Sequence, residues 1–385
     1  MLLKPLEMAL ERALGAGASY ADARSLEQAD EGLTVRNGRV EQARSGSSYG
    51  LGVRVLVDGQ WGFAAGSAVS EAEACRLAGL AVEIARASGA ARKREVSLAP
   101  APATVDTWES PCRIDPWSVP TARKVDLLRE ACKAAQAGGK DVRVATAYMR
   151  AIREVKTFAS TEGAHIVQTS TITSAGVRAV AVGAGEMQVR SYPGTFDGNV
   201  RQAGYEFVEE MDLAASSRRT GEEAQALLSA EQCPSGTMTV ILGTNQLALQ
   251  IHESCGHPTE LDRVYGTEAS FAGTSFLTTE KLASYRYGSD LVNLYADSRS
   301  PGGLGTFGYD DEGTPACLSY LVKDGMFVGY LMSRETAHDL GTVSNGAMRA
   351  SGWDRMPIIR MTNICLEPGS DTLQSLIAGT DDGVF

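Results

Sequence analysis

The sequence predicts an α+β fold with mostly antiparallel sheets, built as an N-terminal α/β two-layer domain and a β-rich C-terminal domain. Three observations carry this prediction. The pairs Asn37-Gly38, Asp58-Gly59 and Asp324-Gly325 stand between alternating side chains, the sequence form of two-residue hairpin turns. Near-contiguous alternating runs at 141–150, 152–160, 165–174 and 176–185 read as an antiparallel meander. Regular strand–helix alternation and internal repeats are both missing, which argues against a doubly wound sheet.

The elements follow in order. Residues 5–16 have helical apolar spacing, and 18–24 form a short strand before the two hairpins. Ser70 and Glu73 form a capping box for a helix whose apolar face runs from Ala74 to Ala85 and which stops at Gly89. Five prolines between 98 and 120 mark a linker or extended crossing, and a helix at 121–137 ends at Gly138-Gly139. After the meander, 200–230 reads as helical and 237–242 as a β-branched run, and a helix starting near Thr244 breaks at Gly256 and Pro258. Short strands are expected at 264–276, 288–295, 316–322, 326–331 and 358–366. The N-terminal domain is placed at 1–190, with a sub-boundary in the 98–120 linker, and the catalytic domain at 191–385.

The charge balance of 36 basic and 47 acidic residues, net −11, argues against wrapping nucleic acid or lying on an anionic membrane. No charge-free apolar run reaches the ~18 residues of a membrane span. The first helix carries Glu7 and Glu11 and lacks the core of a secretory signal. Seven scattered cysteines with no CxxC suit a reducing cytoplasm.

One constellation carries chemistry. Of four histidines in the chain, His252 and His257 bracket Glu253 as HExxxH. Imidazole is the usual zinc ligand, and a glutamate beside the first ligand can take a proton from metal-bound water and pass it to a leaving amine. At ~100° per residue, positions i and i+5 lie about 140° apart on a regular helix. Convergence on one ion therefore requires an irregularity such as a π-bulge, and Gly256 with Pro258 supplies the place for it. The site is expected at a distorted helix end. Glu260, three residues after His257, is either a ligand or a carboxylate that supports one by hydrogen bonding. Cys255 reads as a small packed side chain.

These residues, with the stretches that follow them, carry a resemblance to a known family. HESCGHPTELDRVYG at 252–266, AGTSFLT at 272–278, GYDDEGTPA at 308–316, LVKDGMFVGYLMSRETA at 321–337, SNGAMRASGW at 344–353 and RMTNICLEPG at 360–369 resemble the TldD/PmbA family of modulator-of-gyrase-type metallopeptidases, on the TldD side. The resemblance implies a cytoplasmic Zn(2+)-dependent peptidase acting on unstructured peptides. It implies His252 and His257 as metal ligands, Glu253 as general base, and a homodimer or a heterodimer with a TldE/PmbA-like subunit. Family members are longer, and their third ligand is a cysteine beyond the segment ending here, so the third ligand is expected C-terminal to Phe385. The alternatives are a non-catalytic partner subunit of such a complex, or another metal-dependent amide hydrolase.

Two further signals are weighed against this frame. The run from Gly303 to Gly308 satisfies GxGxxG, but no strand–turn–helix context surrounds it, so a dinucleotide site is rejected in favour of a mobile loop near the centre. Asp310, Asp311 and Glu312 are candidates for the substrate cleft, with a solvated turn as the alternative. His338 is a fourth cleft candidate.

Overall fold

The computed structural model describes residues 3–89, 94–183, 185–194, 199–269 and 273–385. The expected runs 176–185 and 264–276 and the 272–278 match each include residues outside these ranges. The order of elements is α1 (Leu3–Gly15), β1 (Tyr20–Arg36), β2 (Arg39–Val57), β3 (Gln60–Gly66), α2 (Glu71–Ser88), β4 (Val105–Glu109), α3 (Thr121–Ala137), β5 (Val142–Ser160), β6 (His165–Gly183), β7 (Glu186–Tyr192), β8 (Asn199–Gln202), α4 (Glu206–Glu210) and α5 (Leu213–Leu227). The C-terminal part adds β9 (Thr239–Val240), α6 (Thr244–Ile251), α7 (Leu261–Val264), β10 (Leu294–Asp297), β11 (Leu318–Lys323), β12 (Met326–Phe327), α8 (Arg334–Asp339), β13 (Met348–Arg349), β14 (Ile358–Ile359), β15 (Asn363–Leu366), α9 (Leu373–Ala378) and β16 (Gly383–Val384).

The class is α+β with mostly antiparallel sheets, as the turn signals predict. Asn37 and Asp58 take φ of 48° and 49°, each followed by a glycine at positive φ, the backbone that two-residue hairpins demand. The large sheet has the order β3-β2-β1-β5-β6-β4, with β7 and β8 also paired to β6. Its strands are longer than the sequence suggests. The expected pairs 141–150 with 152–160, and 165–174 with 176–185, are single strands of 19 residues each. Ala151 and Ala175, read as breaks, are buried in mid-strand and carry no turn chemistry. The helical stretch at 200–230 is corrected to a strand and two helices, interrupted at Asp212 with φ of 42°. The expected strand from residue 264 is corrected as well: Val264 is the last residue of α7, and hydrogen-bonded turns follow as far as residue 269.

Strand periodicity divides the sheet into two unlike faces. Odd-numbered residues of β1, β2, β5 and β6, among them Ala21, Leu33, Val53, Ala147 and Val177, pack under helices. α1 and α2 cover one end, and α3, α4 and α5 cover the other, so elements as far as Leu227 belong to this layer. Even-numbered residues face the C-terminal part. Arg24, Arg54, Lys156 and Gln168 each make a polar contact with it. The C-terminal part has its own core around Leu294, Leu321, Phe327, Tyr330 and Ile359, beneath a four-stranded sheet of order β12-β11-β10-β15. Among the described residues no helix is long and apolar enough to cross a membrane.

Helix α5 meets α3 at bare backbone. A Cβ on Gly221 would lie 2.0 Å from the Ala135 carbonyl oxygen. Backbone cannot step aside as a side chain can, so Gly221→Ala is expected to destabilise the protein by about 1–3 kcal/mol through overpacking, read as a lowered urea midpoint.

Candidate metal centre

Helix α6 follows Gly243 and runs regularly to Ile251, where its hydrogen bonding changes. Over His252–Gly256 the chain makes a π-helical turn, in which the His257 N–H donates to the His252 carbonyl. That i→i+5 bond stacks residue 257 over residue 252, where a regular helix would have turned it aside by about 140°. A short 3₁₀ turn at His257–Thr259, with Pro258 inside it, then ends the helix. The expected distortion is present at the expected residues.

The sequence around the turn explains why it holds. Gly256 sits against Met361, whose Sδ lies 2.1 Å from where a Cβ would be. Thr259 Oγ1 donates to the Gly256 carbonyl at 2.9 Å, and Leu261 and Leu331 anchor the exit in the C-terminal core. The Leu331 N–H donates to the Thr259 carbonyl, and the Leu261 N–H to the Leu331 carbonyl. Cys255 is fully buried in that core, and burial pushes its thiol up to about 12, so it is a packed, protonated side chain.

The two imidazoles lie with centroids 4.8 Å apart and planes at 89°. Ligating atoms of His252, Glu253 and His257 all fall within 4.8 Å of one another. Two imidazole nitrogens and a carboxylate at this spacing form a borderline donor set suited to zinc. Burial, and next the neighbouring His257, lower the pKa of His252, favouring the neutral imidazole that a metal requires.

Glu260 is 1% exposed. Its Oε2 lies 3.0 Å from His257 Nδ1 and accepts from Arg263 Nε at 3.1 Å and Nη2 at 2.7 Å. With its proton on Nδ1, His257 donates to Glu260 and turns Nε2 out as a lone-pair donor. Arg263 escaped the sequence reading; its only signal was a spacing of three from Glu260, the same helical face.

The remaining candidates lie elsewhere. Asp310, Asp311 and Glu312 are 3%, 1% and 2% exposed, so the solvated turn weighed as the alternative there is corrected. They plug the charged face of the large sheet. Asp311 pairs with Lys156 at 2.6 Å and Arg24 at 3.4 Å; burial opposes its ionisation, but these cations hold it down at about 2. Asp310 accepts backbone N–H groups from Glu312, Thr314 and Met348, and burial with the nearby Glu312 pushes it up to about 7. Glu312 pairs with Arg54 at 3.1 Å and accepts from the Arg334 N–H at 2.7 Å. His338 is exposed on α8 beside Asp339 and joins no group of metal-ligating side chains among the described residues.

Comparison with known proteins agrees with this geometry. Residues 21–85, 114–228 and 235–385 match models described as PmbA/TldA metallopeptidase domain 1, central domain and C-terminal domain. A metalloprotease of Methanothermobacter thermautotrophicus is 30% identical over 368 residues, covering 95% of this chain and 76% of that protein. The chain belongs to the TldD/PmbA metallopeptidase family. A metalloprotease of Methanocaldococcus jannaschii is 29% identical over 98% of this chain and 79% of its own length. Among solved structures, a modulator of a DNA gyrase from Thermotoga maritima superposes with a TM-score of 0.79 at 19% identity, covering 99% of this chain and 81% of that one. TldE from Thermococcus kodakarensis gives 0.72 at 17% identity, covering 98% and 81%. These two likenesses concern the fold. Membership of the TldD/PmbA family together with the His252, Glu253 and His257 cluster makes the chain a metallopeptidase.

Proposed function

We propose that this chain is a zinc-dependent peptidase that hydrolyses unstructured peptides, with His252 and His257 as metal ligands and Glu253 as general base. The observation that carries the reading is the π-helical turn, which brings both imidazoles and the Glu253 carboxylate to one point. Zinc held there supplies Lewis acidity, polarising the scissile carbonyl and acidifying water. Glu253 accepts the proton of the attacking water and returns it to the departing amine. Glu260 and Arg263 keep the His257 ring in place. Among the described residues no further His, Cys, Asp or Glu joins the group.

His252 lines a cavity together with Tyr192, Asn199, Arg219, Glu223 and Leu249, and His252 and Glu253 are themselves exposed. The likeness in fold to TldE supports a homodimer or a heterodimer with a TldE/PmbA-like subunit. Seven free cysteines suit a cytoplasmic setting.

The test is elemental analysis of the full-length protein alongside hydrolysis of an unstructured peptide library. About one zinc per chain and chelator-sensitive cleavage are expected. A protein that takes up no stoichiometric metal would be the non-catalytic partner instead, and one that cleaves only small amides would be a different hydrolase. Glu260→Gln should weaken zinc affinity by about 10–100-fold, measured by competition with a chromophoric chelator, because the Nδ1 proton loses its carboxylate.

A further inference from the structure

Beside the metal centre stand two arginines without partners among the described residues. β13 pairs antiparallel with β14, with Met348 opposite Ile359 and Arg349 opposite Ile358, and the Arg360 N–H continues the ladder to the Ala347 carbonyl at 2.8 Å. Met348 and Ile359 are 7% and 2% exposed and point into the C-terminal core. By strand alternation Arg349 and Arg360 project together from the opposite face, as diagonal neighbours. The same segment is tied to the metal-centre helix end at two points. The Ile359 N–H donates to Asp262 Oδ2 at 3.1 Å, and Met361 rests on Gly256.

The surrounding charges do not neutralise the pair. Among the described residues neither guanidinium meets a hydrogen-bond or ion-pair partner. The carboxylates whose fields reach Arg349 are engaged elsewhere: Asp311 with Lys156 and Arg24, Glu154 with the Gln28 amide, and Glu260 with Arg263 and His257. Arg349 is solvent-exposed yet lines a cavity of about 100 Å³ with Trp108, Glu154, Lys156, Gln202 and Phe307. Protein walls first, and next the neighbouring Arg360, lower its pKa. Guanidinium forks grip carboxylates in a bidentate geometry that no neutral group matches.

We infer that Arg349 and Arg360 form a carboxylate-recognition site that seats an anionic group of the peptide substrate next to the metal centre. The inference rests on the peptidase reading for the identity of the ligand as a peptide. The carboxylate has two sources, the C-terminal α-carboxylate or an acidic side chain, and the pair selects among peptides by charge.

The test uses the full-length protein and one fluorescent peptide sequence without acidic residues, prepared as the free acid, as the C-terminal amide, and as the amide with one internal glutamate. Binding is read by anisotropy in an E253Q background, and hydrolysis in the wild type. The free acid is expected to bind at least tenfold more tightly than the plain amide, with the preference lost in Arg349→Gln and Arg360→Gln and partly kept in Arg349→Lys. Tighter binding of only the glutamate-containing amide, lost in the same variants, supports the site and assigns the carboxylate to a side chain. Because neither guanidinium has a partner among the described residues, thermal midpoints should stay near wild type; where one variant's midpoint falls, the preference is read in the other glutamine variant. Equal affinity for all three peptides, or a preference that survives both substitutions, overturns the inference. If cleavage proceeds without the preference, the peptidase reading stands alone, and if the preference appears without cleavage, the reverse holds.

Discussion

Glu253→Gln should retain nearly the wild-type zinc content while losing about 10²–10⁴ in peptide hydrolysis. The two halves of this result come from different atoms. His252 and His257 keep their nitrogens and the π-helical turn that aligns them, because that turn rests on backbone bonding and on Gly256 against Met361. The carboxamide cannot accept a proton, so positioned proton transfer is lost. His252→Ala and His257→Ala remove a ligand each and should lose metal and turnover together. Elemental analysis and kinetics on the three variants separate the roles. An E253Q protein with near-normal turnover would exclude Glu253 as the base, and one that loses its zinc would make it a ligand.

Much of this centre was legible in the sequence because its constraints are local. The i,i+5 separation of two histidines cannot be reconciled with a regular helix and one ion, and Gly256 and Pro258 marked where the helix would yield. The pairing of Glu260 with His257 likewise follows from a spacing of three. Turn dipeptides gave the hairpins for the same reason, since positive φ at two successive residues restricts the choice of side chain. What the sequence concealed depends on pairing across long separations. Alternation within 142–160 and 165–183 could not reveal that each is one continuous strand, because continuity is set by partners in β1 and β6 or in β5. The acidic run 310–312 looked like a solvated turn because its cations, Arg24, Arg54 and Lys156, lie more than 150 residues away.

The second large effect is expected at that buried contact. Arg54 is 2% exposed and holds Asp22 by two hydrogen bonds, from Nε at 2.9 Å and from Nη2 at 2.6 Å, while its Nη1 reaches Glu312 at 3.1 Å. Asp22 lies directly across the β1–β2 ladder from Arg54, whereas Glu312 comes from the C-terminal part, so one guanidinium joins sheet and C-terminal layer. Trp61 packs 4.3 Å from its carbon, closing the site to water. Burial works against the charge on Arg54, and Asp22 and Glu312 more than offset it, raising its pKa. Arg54→Met fills a similar volume but leaves two carboxylates buried without a cation, and should destabilise the protein by about 3–5 kcal/mol. The triple change Asp22→Asn, Arg54→Met and Glu312→Gln removes the stranded charges and should recover most of that loss, although the Arg334 N–H then keeps only a neutral acceptor. Guanidinium-chloride unfolding of the two variants measures both numbers. A triple variant as unstable as the single one would mean that the interface depends on the ionic pairing itself rather than on avoiding an unpaired buried charge.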